Sequence, residues 1–231
     1  MADAETISVV IPTLNEEAEL SETLRRVAAV PEVVEVIVAD GGSRDRTGKI
    51  ARDLGARWIS CGPGRGAQLR AGAAAASGGV VLMLHADTWL PPDAGHAALR
   101  TLARSGVAGG GFWKRFREDA PWILRGARAR CRLLLEMFGY VYGDQGLFVR
   151  RDLLTAVGGV PPVPLMEEVE LCRRLGGFGR LELADATVTT SWRKFEKLGV
   201  LRTWLLMARV LRAYHSGVSP AELERMYRGG K

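Results

Sequence analysis

The chain has 231 residues, 47% of them hydrophobic, and a formal net charge of +6. That length suits one α/β domain with extensions and a core of ordinary size. The mild basic bias favours anionic ligands or an anionic membrane surface and, with no accompanying motif, does not indicate nucleic acid. Cys61, Cys131 and Cys172 lack metal-ligand spacing and read as reduced thiols of a cytoplasmic protein. The opening stretch MADAETISVVIPT has no basic n-region and no long apolar run, so no signal peptide is expected; no 18-residue apolar window predicts a spanning helix.

In chain order, Ile7 to Ile11 is a β-branched run stopped by Pro12. Asn15 is expected to cap a helix whose first turn carries Glu16 and Glu17 and whose apolar face is Leu20, Leu24 and Val27. Val33 to Ala39 is a second strand, broken by Asp40, Gly41 and Gly42. Arg46 to Leu54 reads as a helix, Arg57 to Ser60 as a weaker strand, Ala67 to Ala76 as an alanine-rich helix and Val80 to Leu84 as a fourth strand. Beyond Pro92, helices are expected over 93–104, 120–138, 165–175 and 200–214, and strands over 107–116 and 147–149. Arg228, Gly229, Gly230 and Lys231 are expected to fray.

This β-α alternation with continuous apolar strands indicates a mostly parallel sheet covered by helices on both faces. Ligands of such sheets bind beyond the carboxyl ends of the strands. The polar residues in those places are Thr13, Asn15 and Glu16, then Asp40 and Ser43, then Arg65, then His85 and Asp87. GxxxxGK[ST] is absent, and no GxGxxG follows the first strand, which argues against a P-loop and weakens a dinucleotide site. What remains is a set of carboxylates, able to bind ribose, base edges or a divalent cation, and an arginine able to pair with phosphate.

The segments VVIPTLNEE, VIVADGGSRDRT, GRGAQLRAGAAAA and VLMLHADT, followed by GDQGLFVRR and LMEEVELCRRL, resemble in order and spacing the family 2 glycosyltransferases. The likeness runs over about residues 7 to 195. It implies a Rossmann-like GT-A fold in a single domain: a nucleotide-binding half over 1–104, an acceptor and catalytic half over 105–195, and a helical extension over 196–231. It implies that Asp40 receives the base or ribose of a nucleotide-sugar, with Thr13, Asn15, Glu16 and Ser43 in the same pocket and Arg65 near the nucleotide. Asp87 takes the last position of the family's DxD motif and would hold Mn2+ or Mg2+ on the diphosphate. His85 stands where the first carboxylate is usual, either as a ligand or to position the diphosphate. Glu167 and Glu168 match the acidic pair, with Glu168 as general base, one methylene longer than the usual aspartate, and Glu167 as a substitute. Asp144 and Gln145 of GDQG would line the donor-sugar or acceptor pocket. Arg193, in the loosely matching SWRKFEK, would help hold the diphosphate.

The chemistry implied is a single in-line displacement with inversion, in which a base activates an acceptor hydroxyl and a cation neutralises the leaving diphosphate. Two other classes are weighed beside it. A sugar nucleotidyltransferase needs a lysine-bearing glycine-rich loop after the first strand, which is absent; a non-catalytic nucleotide-sugar-binding protein would account for the departures at His85 and Glu168. The acceptor is left open among lipid, carotenoid-like, glycan and protein hydroxyls. The 200–214 helix carries Leu201, Trp204, Leu205, Ala208 and Leu211 on one side and Arg202, Arg209 and Arg212 on another. That stripe either packs on the domain or lies peripherally on the inner face of a membrane.

Overall fold

The computed structural model describes residues 6–117 and 119–229. The elements are β1 (Ile7–Thr13), α1 (Leu20–Ala28), β2 (Val33–Asp40), α2 (Thr47–Asp53), β3 (Arg57–Ser60), α3 (Arg65–Ala74), β4 (Val80–Met83), β5 (Thr88–Trp89), α4 (Ala94–Leu102), β6 (Val107–Phe116), α5 (Ala127–Phe138), β7 (Leu147–Arg150), α6 (Arg151–Ala156), α7 (Glu167–Leu175), β8 (Arg180–Thr190), α8 (Arg193–Leu198), α9 (Val200–His215) and α10 (Pro220–Gly229). The strands form one sheet in the order β3-β2-β1-β4-β7-β6-β8-β5. The expected parallel half is there: β1 pairs in parallel with β2 and β4, and β2 with β3. Past β4 the sheet turns mixed, because β7 runs antiparallel to both β4 and β6.

Strand β1 lies inside the sheet, between β2 and β4, with apolar side chains on both of its faces. Ile7, Val9 and Ile11 pack on one side with Leu20, Leu24 and Val27 of α1 and Ala94, Ala98 and Leu102 of α4. Val10 packs on the other side with Leu69 of α3, Leu154 of α6 and Val169, Leu171 and Leu175 of α7. Each fully buried branched side chain contributes about 1.5–3 kcal/mol, so these two layers dominate the favourable side of folding. The glycines of β6 permit close packing: a Cβ on Gly110 would collide with Glu182 O and the Phe148 ring.

Several boundaries differ from the sequence expectation. Asn15 caps no helix; it has φ 56°, and α1 begins at Leu20, so Glu16 and Glu17 stay in the loop. The helix expected over 120–138 is a short 3-10 turn at Trp122–Leu124 followed by α5, separated by Gly126. Helix α7 starts at Glu167, after Met166 at φ 66°. Strand β8 was hidden in the sequence, since its inward residues Ala184 and Ala186 are weak strand signals and a register shift falls between Phe112 and Trp113 of its partner. Arg228 and Gly229 belong to α10 and are not frayed. Ser219 caps α10: its Oγ accepts from Glu222 N–H at 3.3 Å and donates to Glu222 Oε2 at 3.1 Å. Gly230 and Lys231 lie outside the described residues.

Candidate active site

The loops that follow β1 and β2 are laced together at the carboxyl edge of the sheet. Asn15 N–H donates to Ser43 Oγ at 2.8 Å, and Arg44 N–H donates to Asn15 Oδ1 at 2.9 Å. Glu16 N–H donates to Thr47 Oγ1 at 2.8 Å, and Glu17 N–H to Asp45 Oδ2 at 3.1 Å. These bonds satisfy the backbone of a non-helical loop, which is why the loop can hold Asn15 in a left-handed conformation. Asp40 is buried at the tip of β2. Its carboxylate accepts from Thr13 Oγ1 at 3.1 Å, from Ser43 N–H at 3.0 Å, from Gly42 N–H at 3.3 Å and from Ser43 Oγ. Gln68 of α3, unremarked in the sequence, donates from Nε2 to Thr13 O at 2.6 Å and Ala39 O at 2.9 Å.

Two arginine-centred clusters carry the charge. In the first, Arg65 at the start of α3 donates from Nε to Glu167 Oε1, and from Nη2 to Glu168 Oε2 at 2.9 Å; its Nη1 lies 3.1 Å from His85 Nε2. Both glutamates are in the first turn of α7, where the helix dipole favours anions. Burial and the charge of Glu168 raise the Glu167 carboxyl above its ordinary range, although Arg65 opposes them. For Glu168 burial acts in the same sense, but Arg65 and His85 outweigh it and hold the carboxyl low. Glu168 Oε1 and Glu167 Oε2 are buried with no hydrogen-bond partner among the described residues. Gly143 lies against the first of these: a Cβ there would collide with Glu168 Oε1 and His85 Nε2.

In the second cluster, Arg193 at the start of α8 donates from Nη2 to both oxygens of Glu16, at 2.7 and 2.6 Å, and its Nε lies 3.0 Å from Asp87 Oδ2. The register of β5 and β8 explains the meeting. Thr88 pairs with Thr190, and Ser191 N–H donates to Asp87 O at 3.2 Å, so Arg193 follows beside Asp87. Burial raises the Glu16 carboxyl despite Arg193. The turn closed by Thr88 N–H on His85 O separates the His85 and Asp87 side chains, and each reaches a different arginine.

Asp144 and Gln145 are not equivalent. Burial would raise Asp144, but Lys114, with Nζ 2.6 Å from Oδ2, overrides it and keeps the carboxyl low. Gln145 is buried, donating from Nε2 to Phe112 O at 3.3 Å and accepting from Tyr142 N–H at 3.3 Å, so both ends of its amide are occupied by backbone. Lys114 and the neighbouring Arg117 were missed from sequence; the signal was the KRFR run that ends β6 and continues one residue past it. Arg117 donates to Glu19 from Nη1 at 3.2 Å and Nη2 at 2.6 Å, and lies 4.0 Å above the Trp89 ring.

Each arginine cluster sets two carboxylates against one guanidinium, and in each burial raises one carboxyl, Glu167 or Glu16, which trims the formal negative excess. Among the described residues, no group of three His, Cys, Asp or Glu side chains converges on a metal position. One carboxylate, Asp87, is enough for a hard cation that takes its remaining oxygens from phosphates and water. The residues therefore fit a cation delivered with a diphosphate, not a preformed cage.

The expected apolar stripe of α9 is not what the fold buries. Thr203, Leu206 and Val210 face inward, and Leu201 and Leu205 are 69% and 63% exposed. Arg130 of α5 lies 5.3 Å over the Trp204 ring, and Phe138 is 5.5 Å from His215, so the two helices lie alongside. Leu133, Met137 and Phe138 of α5 are also exposed. Among the described residues, no helix is long and apolar enough to cross a membrane.

The family description Glycosyl transferase family 2 matches residues 8–152. The chain is similar to an undecaprenyl-phosphate 4-deoxy-4-formamido-L-arabinose transferase of Aeromonas hydrophila, 34% identical over 160 residues, covering 64% of this chain and 49% of that protein. Its likeness to the Edwardsiella ictaluri protein of the same name is 30% over 165 residues, covering 65% and 50%. The chain spans about half the length of the curated relatives it matches. Among solved structures, the mannosyltransferase PcManGT of Pyrobaculum calidifontis, in complex with GDP-Man and Mn2+, shares the fold at a TM-score of 0.65 and 20% identity, over 79% of this chain and 56% of that one. Glucosyl-3-phosphoglycerate synthase of Mycobacterium tuberculosis, in complex with Mn2+, UDP and glucosyl-3-phosphoglycerate, superposes at 0.58 with 28% identity, over 80% and 70%. A match over more than half of the chain, together with the mixed sheet and the acidic strand ends described above, makes this chain a member of the family 2 glycosyltransferases, with the GT-A fold.

Proposed function

We propose that the chain transfers a sugar from a nucleoside-diphosphate sugar to an acceptor hydroxyl, in one displacement that inverts the anomeric carbon. The observation that carries this reading is the pair of arginine clusters at the carboxyl edge of the sheet, each with two carboxylates on one guanidinium, one containing Asp87 and the other Glu168, whose Oε1 makes no hydrogen bond among the described residues and lies 3.6 Å from His85 Nε2. Asp40, Thr13, Asn15 and Ser43 form the nucleoside side, and residues 105–195 contribute the acceptor side. The acceptor oxygen attacks the anomeric carbon as the bond to the diphosphate oxygen breaks; that oxygen leaves with the electron pair, and the hydroxyl proton passes to Glu168 Oε1. Glu168 is held ionised and hence able to accept a proton, but it is a weak base, so the proton moves late, as the attacking oxygen acidifies. Arg193 exchanges one carboxylate for a phosphate oxygen, which a guanidinium binds at least as well. Mn2+ or Mg2+, held by Asp87 and the donor's own phosphates, would supply neutralisation of the leaving charge. His85 orients Glu168 and Arg65 in this scheme and does not ligate the cation.

The exposed apolar residues of α5 and α9, interspersed with Arg130, Arg202 and Arg209, support peripheral docking on the cytoplasmic face of an anionic membrane, where a lipid acceptor would be presented. The test of the reaction is thermal stabilisation by nucleoside diphosphates with and without Mn2+, followed by product analysis. Asp87→Ala should lose the metal-dependent shift, and Glu168→Gln should keep donor binding and lose transfer. Transfer that survives in Glu168→Gln and disappears in Glu167→Gln would move the base to Glu167. Absence of any nucleotide shift in the native chain would overturn the reading.

A further inference from the structure

Strand β5 is an edge strand of only two residues, Thr88 and Trp89, paired with Thr190 and Thr189 of β8. So short a ladder leaves the turn before it, His85 to Asp87, to be fixed by contacts from elsewhere. Those contacts reach each of its three carbonyl oxygens. The His85 oxygen accepts from Thr88 N–H at 3.1 Å. The Ala86 oxygen accepts from Thr23 Oγ1 at 2.6 Å, and Thr23 is fully buried on α1. The Asp87 oxygen accepts from Ser191 N–H at 3.2 Å and, at a longer 3.4 Å, from Arg117 Nη2. Most backbone carbonyls are satisfied by other backbone groups; two of these three draw on side chains 63 and 30 residues away.

Arg117 grips the far side of the turn as well. Its backbone N–H donates to Thr190 O at 3.1 Å, which sets it beside the strand that pairs with β5. Its guanidinium lies 4.0 Å from the centroid of the Trp89 ring and donates to both oxygens of Glu19, at 3.2 and 2.6 Å. Arg26 of α1 lies 4.5 Å from the same ring and is held by Glu22 at 2.8 Å. A planar guanidinium stacks on an aromatic face while its edge binds a carboxylate, a combination that an ammonium does not reproduce. Both terminal nitrogens of Arg117 are thus engaged within the protein. Ala86 is held one residue before Asp87, and Trp89 two residues after it. The Asp87 carboxylate stands one methylene from the backbone, so any displacement of the turn is carried to it. A ligating group must be kept within about 0.5 Å of its productive position by the residues behind it.

We propose that Arg117 and Thr23 are positioning residues for Asp87, holding the turn so that its carboxylate meets a divalent cation delivered with a diphosphate. The role of Asp87 itself rests on the transfer reading above; Arg117 and Thr23 act through it. Removing the partners behind a metal ligand weakens metal binding about 10–100-fold, and the lower end applies here because phosphates and water supply the remaining oxygens. The loss is confined to the cation-dependent part of nucleotide affinity, because Asp40 at the nucleoside side is held by Thr13, Gly42 and Ser43 instead.

The experiment is titration calorimetry of the full chain with UDP and with GDP, each with and without Mn2+, on the native, Asp87→Ala, Arg117→Gln and Thr23→Val chains. The quantity read is the ratio of the dissociation constants without and with Mn2+. Arg117→Gln and Thr23→Val should each lower that ratio about tenfold, or to the Asp87→Ala level where the native ratio is smaller, and leave the metal-free constant within about twofold of native. A loss of stability alone does not move the ratio, since both constants are taken on the folded chain. Glu19→Gln, which loosens the hold on Arg117 without removing it, should shift the ratio the same way by less, and it decides the Arg117 role if Arg117→Gln does not fold. Each residue stands or falls by its own variant. If Asp87→Ala lowers the ratio and the other variants do not, or if metal-free binding falls in step with it, the positioning role is wrong and the transfer reading survives. If the native chain binds nucleotide with no Mn2+ dependence, or Asp87→Ala retains that dependence, the assignment of the cation to Asp87 fails and the positioning role falls with it.

Discussion

Replacing Arg65 by methionine tests whether the acidic pair is held by one shared cation. The substitution keeps most of the apolar stem and removes the guanidinium from Glu167, which is fully buried, and from Glu168, which is 3% exposed. Leaving a buried charge without its partner costs about 3–5 kcal/mol. The Arg65 side chain is itself 37% exposed, so solvent screens the loss and the lower end of that range, about 3 kcal/mol, is the working figure. In a chain of this length that corresponds to a melting midpoint lower by about 6–12 °C. The cost must also depend on pH. In the native protein the lowered Glu168 carboxyl stabilises the fold above the ordinary value of 4.5 and loses that contribution only as pH falls through its folded value. Glu167, raised by burial, acts in the opposite sense and penalises the fold as pH rises from 4.5 towards its folded value. Without Arg65 both carboxyls rise, so the penalty grows from pH 4.5 upward. Urea unfolding followed by tryptophan fluorescence at pH 5 and pH 8 should show a distinctly larger deficit at pH 8. A deficit below about 1 kcal/mol, or one equal at the two pH values, would refute the shared-cation account.

Three further outcomes are expected. Gly143→Ala should abolish sugar transfer while preserving nucleotide binding, because its Cβ displaces Glu168 Oε1 and His85; a stability cost of about 1–3 kcal/mol would accompany it in denaturant titration. Leu201→Ser with Leu205→Ser should lower flotation with anionic vesicles and leave the melting midpoint within about 1–2 °C, since neither side chain is buried; an unchanged flotation would count against membrane docking. The kcat/KM profile should stay flat on its acid limb through pH 5, because Glu168 remains ionised there; an acid limb near the ordinary glutamate value would show that the base lacks Arg65 and His85 as partners.

The parallel half of the sheet was legible in sequence because β1, β2 and β4 are runs of largely branched apolar residues, interrupted only by Ser8 and Glu35 and bounded by Pro12, Asp40 and His85. Strand β8 was not, since alanines at its inward positions mute the alternation on which strand recognition depends. The α10 helix was overlooked although Ser219-Pro220-Ala221-Glu222 is a capping signature with proline at the first helical position. The types of residue at the site could be listed from the strand ends, but not their partners. Arg65 and Glu168 are 103 residues apart, and Arg193 and Glu16 are 177 apart. Nothing in local pattern or spacing relates such positions; the meeting of α3 with α7 brings the first pair together, and the closing of β5 on β8 the second. The same blindness explains Asn15. A polar residue before an apolar period reads as a cap, while its bonds to Ser43 and Arg44 come from a different loop.

The Glu16–Arg193 contact bears on the order in which the molecule is made. The first 152 residues already contain the nucleoside loops and Asp87, yet Glu167, Glu168 and Arg193 have still to be synthesised. At ribosomal speeds of about 5–20 residues per second, the interval before Arg193 emerges lasts seconds. During it Glu16 and Asp87 repel each other across an unfilled gap, and the buried acidic pair does not yet exist. The nascent chain can therefore build its parallel core while the reaction centre stays open. Closing so long a loop adds little entropy beyond that of a shorter one, because the cost rises only with the logarithm of its length. Assembly of the centre becomes one of the last events of folding, and a ribosome-bound fragment ending near residue 190 should have a formed parallel core and no competent site.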